Sequence, residues 1–256
     1  MAWSSQVAER PTAHPQGSWT LFGIPIHIDR SWFFIAAFAA WSLARGYFPE
    51  RYPGLSTGLY WAMGGAAALL LFACVLLHEL GHSLTAQRHG IPVARVTLFI
   101  FGGVAQIGRD PTRPAVELKI ALAGPLVSVL IAGACYAGSA AMSVHAPTQL
   151  AAVAIVRYLA MTNTALVLFN LLPGFPLDGG RVLRALLWAW TRNLRRATRI
   201  ASLMGSGLGL GLLVLGLWAI IKGAWAGGMW YILLGFFLRD AALASYRRAR
   251  EAIGPS

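Results

Sequence analysis

Residues 78–82 read His-Glu-Leu-Gly-His, toward the end of an almost uninterrupted apolar run from about residue 59 to 86. That combination constrains the chain more than any other stretch. On a helix, side chains four residues apart share a face and stand about 6 Å apart along the axis, so His78 and His82 can both reach one zinc ion. Glu79 follows the first histidine, where a carboxylate can act as general base toward water held by such an ion. A soluble helix can carry these three residues by chance. In a helix that crosses lipid, a carboxylate and two imidazoles are costly without partners, and the default reading is a functional site.

Composition says that the helix does cross lipid. The 256 residues are 57% hydrophobic and 12% charged, and a soluble domain carries about twice that charge. Such a balance excludes a separate soluble domain and points to a polytopic membrane protein, all-α in class. Residues 1–17 are polar and are expected to be a disordered cytoplasmic N-terminus with no cleavable signal. The first apolar run is then a retained signal anchor. Residues 19–28 alternate around Gly23 and Pro25 and predict a short strand or interfacial segment. Six apolar runs follow, at about 32–47, 59–88, 115–144, 150–172, 200–221 and 225–246. Each is near or above the ~20 residues that span the hydrocarbon. A single six-span domain is therefore expected over 18–246, with a short basic cytoplasmic tail at 247–256. Gly205, Gly207, Gly209, Gly211 and Gly216 in the fifth run suggest close helix packing. Cys74 and Cys135 sit in apolar runs and read as small buried residues.

The net charge of +12 admits two readings, nucleic acid or the positive-inside rule. With six spans, all but four of the 21 Lys and Arg fall on the side of both termini; the exceptions are Arg45, Arg51, Arg157 and Lys222. That asymmetry puts both termini in the cytoplasm and accounts for the charge without nucleic acid. His82, about 9 Å before Arg88 on a helix, then lies inside the membrane in its cytoplasmic half. Between the second and third runs, residues 93–101 and 104–107 are β-prone and flank Gly102-Gly103, which predicts a β-hairpin at the cytoplasmic face.

A zinc hydrolase site takes three protein ligands and keeps a fourth position open. Candidates for the third are His27, His89, His145, Asp110, Asp178 and Asp240. His89 is too far along the helix from His82 to share the ion. His145 falls in a loop on the opposite side, His27 lacks a partner at helical spacing, and Asp240 adjoins Arg239. Asp178 stands apart. It follows a stretch from Asn170 containing Pro173, Gly174 and Pro176, which breaks the fourth run on the same side as His78 and His82. Unwound backbone beside an acidic residue at membrane depth is tolerated where it lines a cavity or site.

His78-Glu79-Leu80-Gly81-His82, Gly102-Gly103, Ala123-Gly124-Pro125, Asn170-Leu171-Leu172-Pro173 and Leu177-Asp178-Gly179-Gly180, in this order and spacing, resemble the site-2 protease family of intramembrane zinc metalloproteases. The resemblance covers about residues 24–246. It implies six transmembrane helices with a small β-hairpin or sheet near the cytoplasmic face. It also implies one Zn2+ per chain held by His78, His82 and Asp178, with Glu79 as catalytic base. The expected activity is hydrolysis of peptide bonds within or next to transmembrane segments of membrane-protein substrates, in a bacterial or archaeal cell membrane. Partners are the transmembrane-helix substrate and the lipid bilayer, with no nucleic acid; a homodimer is compatible with it. Many relatives carry CBS domains or PDZ insertions. This chain has neither and is expected to be a minimal or a shortened member.

Two rivals come from other classes, a membrane zinc transporter and a catalytically silent zinc-binding scaffold. Against the first, the ligands concentrate at one depth. Against the second, Glu79 is present although it is no ligand. Asn170 is a candidate for binding the substrate backbone or oxyanion, or else caps the end of its helix. A helical substrate must become extended before it is cut, and its freed backbone then needs partners. The hairpin offers an edge for this, with Val96, Thr97, Leu98, Gly102 and Gly103 as candidate substrate-binding residues, unless it is only an interfacial anchor.

Overall fold

The computed structural model describes residues 19–100 and 102–252. The expected N-terminal tail at 1–17 and the last four residues lie outside them. The fold opens with β1 (Trp19–Leu21) and β2 (Ile24–Ile28), joined at Phe22 and Gly23. Both turn residues have positive φ, 52° and 76°, as a two-residue hairpin loop requires. Asp29 caps α1 (Arg30–Ser42): its Oδ1 accepts from the Ser31 N–H at 2.9 Å and from the Ser31 hydroxyl at 2.5 Å. The Ser31 hydroxyl and N–H beside Asp29 hold its carboxyl below the usual range. The first apolar run does not continue as one α-helix. A π-helical turn (Leu43–Tyr47) follows, then the short α2 (Phe48–Arg51).

Five long helices and one short one make up most of the rest. Ser56 caps α3 (Thr57–Arg88), which ends at the left-handed Gly90. After β3 (Val93–Phe99) and β4 (Gly102–Ile107) come α4 (Pro114–Ala141) and α5 (Pro147–Asn170), each with proline at its start. Proline is at ease there, since its missing N–H would have no helical partner. An irregular stretch leads to α6 (Asp178–Thr191), then to α7 (Leu194–Ile221) and α8 (Trp225–Ala252). Four helices, α3, α4, α5 and α7, are long and apolar enough to cross a membrane, so the chain is a multi-pass membrane protein. The first of the six expected runs is divided by the π turn. The sixth, α8, is long but carries Trp, Gly and the Arg239-Asp240 pair, and it continues as helix past Tyr246. The short α6, outside the six apolar runs, is an amphipathic helix, burying Arg184 and Ala185 and exposing Leu186 and Trp190.

The four strands form one sheet in the order β1-β2-β3-β4, with β2 and β3 parallel and the other pairs antiparallel. Two sequence expectations change here. Gly102-Gly103 is not the hairpin loop: Phe99 pairs with Gly102 and Leu98 with Gly103, so both glycines belong to β4. Nor do Val96, Thr97 and Leu98 line a free edge. Each pairs with β2 on one side and β4 on the other, and Val96 and Leu98 are buried. The reason is that residues 19–28, expected as a short strand or interfacial segment, add to the hairpin and cover that side. The uncovered edge of the hairpin is β4. The Leu98 carbonyl accepts from Asp29 N–H on the β2 side. By antiparallel alternation, its partner Gly103 turns its own N–H and C=O away from β3, and so does Ala105.

The sheet rests on α3. Ile24, Ile26, Val96 and Ala105 pack around Leu76, Leu80 and Leu84, a stripe at four-residue spacing. The Ile100 N–H bonds the Ser31 hydroxyl at 3.2 Å and ties the β3–β4 corner to the start of α1. A second core, with Phe48, Met63 and Tyr158, closes the other end of α3. The glycines of α7 fall into three groups. A methyl on Gly209 would meet the Gly235 carbonyl of α8 at 2.8 Å, and one on Gly216 the Gly228 carbonyl at 2.7 Å. Such close backbone approach is how membrane helices pack. Gly205 faces the backbone of Phe175, whereas Gly207 and Gly211 meet nothing within 4 Å.

Candidate metal centre

His78 and His82 lie in the second half of α3, on the side away from the sheet, and are only 2% and 4% exposed. Asp178 opens α6, where the irregular stretch from Leu171 turns back toward α3. Its Oδ2 is 3.1 Å from His78 Nε2 and 3.2 Å from His82 Nε2, and the two Nε2 atoms are 3.2 Å apart. Among the described residues these three form the group that could hold a metal. Tetrahedral coordination at bond lengths near 2.1 Å sets ligand atoms about 3.4 Å apart, so a small outward relaxation admits a zinc ion.

The outer nitrogens of the imidazoles decide which atoms face inward. His82 Nδ1 is 2.7 Å from the Ile120 carbonyl, which can only accept. A neutral His82 therefore carries its proton on Nδ1 and turns its Nε2 lone pair toward Asp178 and His78. His78 Nδ1 has the Ser128 hydroxyl at 2.9 Å, which accommodates the same arrangement. Two imidazole nitrogens and a carboxylate oxygen converging in this way, with both outer nitrogens occupied, are a donor set that fits zinc.

Both outer contacts come from α4, and a third feature of that helix explains their closeness. A methyl on Gly124 would run into His82 Nε2 and stand 2.7 Å from His78 Nε2. Gly81 likewise lets α3 approach α4, since its methyl would meet the Ala123 carbonyl at 2.9 Å. Ile120, Gly124 and Ser128, at four-residue spacing, thus back the two histidines from one face. Sequence reasoning assigned none of them a role. The signal was the Gly-Pro pair inside an apolar run, a place where glycine costs helix stability.

Glu79 faces the other way, into a cavity of about 470 Å³ that also touches His78, Gly102, Gly103 and Asn170. β4 crosses directly over it. A methyl on Gly103 would meet Glu79 Cγ at 2.5 Å, and the Ala105 backbone hydrogen-bonds the Glu79 carboxyl. Asn170 is the last residue of α5 and lies on the cavity wall. The remaining candidates are elsewhere. His27 pairs with Thr97 in the sheet, His89 bonds the Thr85 carbonyl, His145 stands in the α4–α5 loop, and Asp110 reaches Arg184. Asp240 sits in α8.

Known proteins resemble this chain over most of its length. Residues 66–150 and 140–213 match the model of peptidase family M50. A Synechocystis sp. protein that carries the name zinc metalloprotease is 41% identical over 231 residues, covering 90% of this chain and 59% of its own length. A Mycobacterium tuberculosis protein of the same naming is 36% identical over 220 residues, covering 86% of this chain and 56% of its own. The chain thus spans somewhat over half the length of these relatives. Among solved structures, the site-2 protease from Methanocaldococcus jannaschii superposes with a TM-score of 0.59 at 28% identity, covering 89% of this chain and 93% of that one.

Proposed function

The chain belongs to peptidase family M50, and from that premise we propose that it is an intramembrane zinc metallopeptidase that cuts membrane-protein substrates within or next to their transmembrane segments. The observation that carries the reading is the convergence of His78, His82 and Asp178, with their ligand atoms within 4.8 Å of one another, beside Glu79 on a cavity wall. In this reading His78 Nε2, His82 Nε2 and Asp178 Oδ2 hold the ion. Zinc, when bound, supplies a Lewis acid that activates water and polarises a peptide carbonyl.

The chain's own groups do the rest. Ser128 and the Ile120 carbonyl hold the imidazole planes. Glu79 takes a proton from water entering the cavity and passes it to the leaving amine. Asn170, on the same wall, donates to the substrate backbone. The apolar walls limit water to what the reaction uses. A substrate segment, once extended, pairs with the outward N–H and C=O of Gly103 and the outward C=O of Ala105 on β4, beside the Glu79 carboxyl that the Ala105 N–H holds. Of the candidates on the hairpin, Val96, Thr97 and Leu98 are thus set aside, and strand addition falls to the β4 edge that carries Gly103.

Six spans fit the same proposal. The path from Arg30 to Arg51 is helical throughout and about 33 Å long at 1.5 Å per residue, enough to cross the hydrocarbon. With α8 as the sixth span, both termini are cytoplasmic, as the distribution of Lys and Arg favours, in the cell membrane of a bacterium or archaeon. Among the described residues the group that could hold a metal has its ligand atoms within 4.8 Å of one another, a single point and not a string across the bilayer, which favours hydrolysis over a transport path. The test is cleavage of a model transmembrane substrate by purified protein of measured zinc content. Glu79→Gln should keep its zinc and lose cleavage. Cleavage at the wild-type rate would refute the proposal.

A further inference from the structure

The face of α4 that backs the histidines continues one turn toward its N-terminus to Glu117, which is 0% exposed. Glu117 meets Arg184 of α6: its Oε1 accepts from Arg184 Nε at 2.6 Å and lies 2.5 Å from a terminal nitrogen. Both bonds use one oxygen; Glu117 Oε2 is buried with no hydrogen-bond partner. The Arg184 guanidinium also lies 5.2 Å from the ring centre of Phe175, in the stretch that leads into Asp178. It reaches the mostly exposed Asp110 at 3.4 Å. Arg184 therefore joins α6, the chain entering α6, and α4 at a single point.

A buried pair of this kind is poor support for stability, because removing two charges from water offsets most of their attraction. Its best-attested use is to select one register over its neighbours. Here register matters. Asp178 and Arg184 share the same short helix, less than two turns apart. A slide of α6 by about 1 Å along α4 would take Asp178 Oδ2 out of ligand range of two histidines that α4 itself holds in place.

We propose that the Glu117–Arg184 pair is a positioning device that registers α6 on α4, so that Asp178 meets the histidines at a shared metal. The proposal rests on Asp178 being a metal ligand, as in the functional reading above. The pair touches neither metal nor substrate and acts through Asp178.

The experiment measures zinc affinity of the full chain in detergent by chelator competition, together with thermal unfolding in EDTA. Replacing the whole pair, Glu117→Leu with Arg184→Met, leaves no buried charge without a partner, since Asp110, which Arg184 also reaches, is mostly exposed to solvent. The double variant is expected to melt in EDTA at or above the wild-type temperature, yet bind zinc about tenfold to hundredfold more weakly. Arg184→Lys keeps the charge, loses the fork, and should weaken zinc in the same direction with the fold retained. In an Asp178→Ala background neither change should weaken zinc further, since the group they position is gone. Wild-type zinc affinity in the folded double variant and in Arg184→Lys would overturn the proposal. So would a full additional loss in the Asp178→Ala background, which would mean that the pair acts through the histidines or the fold. If Asp178→Ala itself bound zinc like the wild type, the ligand reading would fall and this proposal with it.

Discussion

Gly103→Ala separates the metal from the base more sharply than any change at the ligands. Gly103 lies in β4 and its φ is not positive, so alanine suits the backbone and should stabilise the strand by about 0.5–1 kcal/mol. The added methyl, however, would stand 2.5 Å from Glu79 Cγ and 3.2 Å from Cδ. Carbon atoms rest comfortably at about 3.5–4.0 Å, so the Glu79 side chain must retreat by about 1 Å. Glu79 can do so, because its chain is flexible and the cavity beside it is open. The fold is therefore spared while the carboxyl leaves its place. A displacement of this size at a reacting group costs on the order of a hundredfold in rate, about 2.7 kcal/mol. The assay is kcat/KM for a model transmembrane substrate, with zinc content and melting temperature measured on the same preparation. The expected result is full zinc, an unchanged or higher melting temperature and the rate loss. Gly102→Ala is the control: it meets nothing within 4 Å but has φ +123°, so it should lower stability rather than move Glu79. Wild-type cleavage by Gly103→Ala would show that the position of Glu79 under β4 is not part of the reaction.

His78→Ala, His82→Ala and Asp178→Ala should each lower bound zinc markedly in elemental analysis, whereas Glu79→Gln should retain it and lose cleavage by two orders of magnitude or more. Gly124→Ala should act like a ligand change although it adds only a methyl, because that methyl occupies space at both Nε2 atoms; zinc content falls while the apo protein still folds. Thr97→Pro breaks a doubly paired strand and should abolish folded yield, whereas Ala105→Pro on the edge strand removes the N–H that holds the Glu79 carboxyl and should reduce cleavage with zinc retained. Cysteines at Ser56 and Thr148 should react with an impermeant reagent outside intact cells and one at Thr191 should not; the reverse pattern would invert the topology.

The metal residues were legible because lipid makes polar side chains conspicuous. His78, Glu79 and His82 stand out in an apolar run, and Asp178 follows the broken stretch where such a residue needs a reason. The backing of the site was not legible. Ile120 contributes a carbonyl, which any residue could supply, and Ser128 is an ordinary membrane serine until His78 is placed beside it. Glu117 and Arg184 lie 67 residues apart in sequence, and nothing local in either stretch pairs them. The hairpin was found from its β-prone residues, but its partner was not. β2 joins it in parallel across α1 and α3, a long-range pairing that local alternation cannot announce. Likewise α6 was hidden because its start is packed with glycine and follows two prolines, signals that locally argue against a helix.

The π turn at Leu43–Tyr47 makes the first helical path a device for changing phase. Each residue of an α-helix advances the side-chain direction by about 100°. Before the turn, Ile35, Phe38 and Ala39 line the cavity beside Glu79; after it, Phe48 is buried against the far core. A wider turn lets one path present two faces whose angular offsets a uniform helix could not satisfy together. Deleting Gly46 would restore regular winding, and everything on one side of the deletion would then be rotated against the other. Either Phe48 would leave its core or the cavity wall would turn toward lipid. The chain would be only one residue shorter, yet it would have lost the angular match between its two ends.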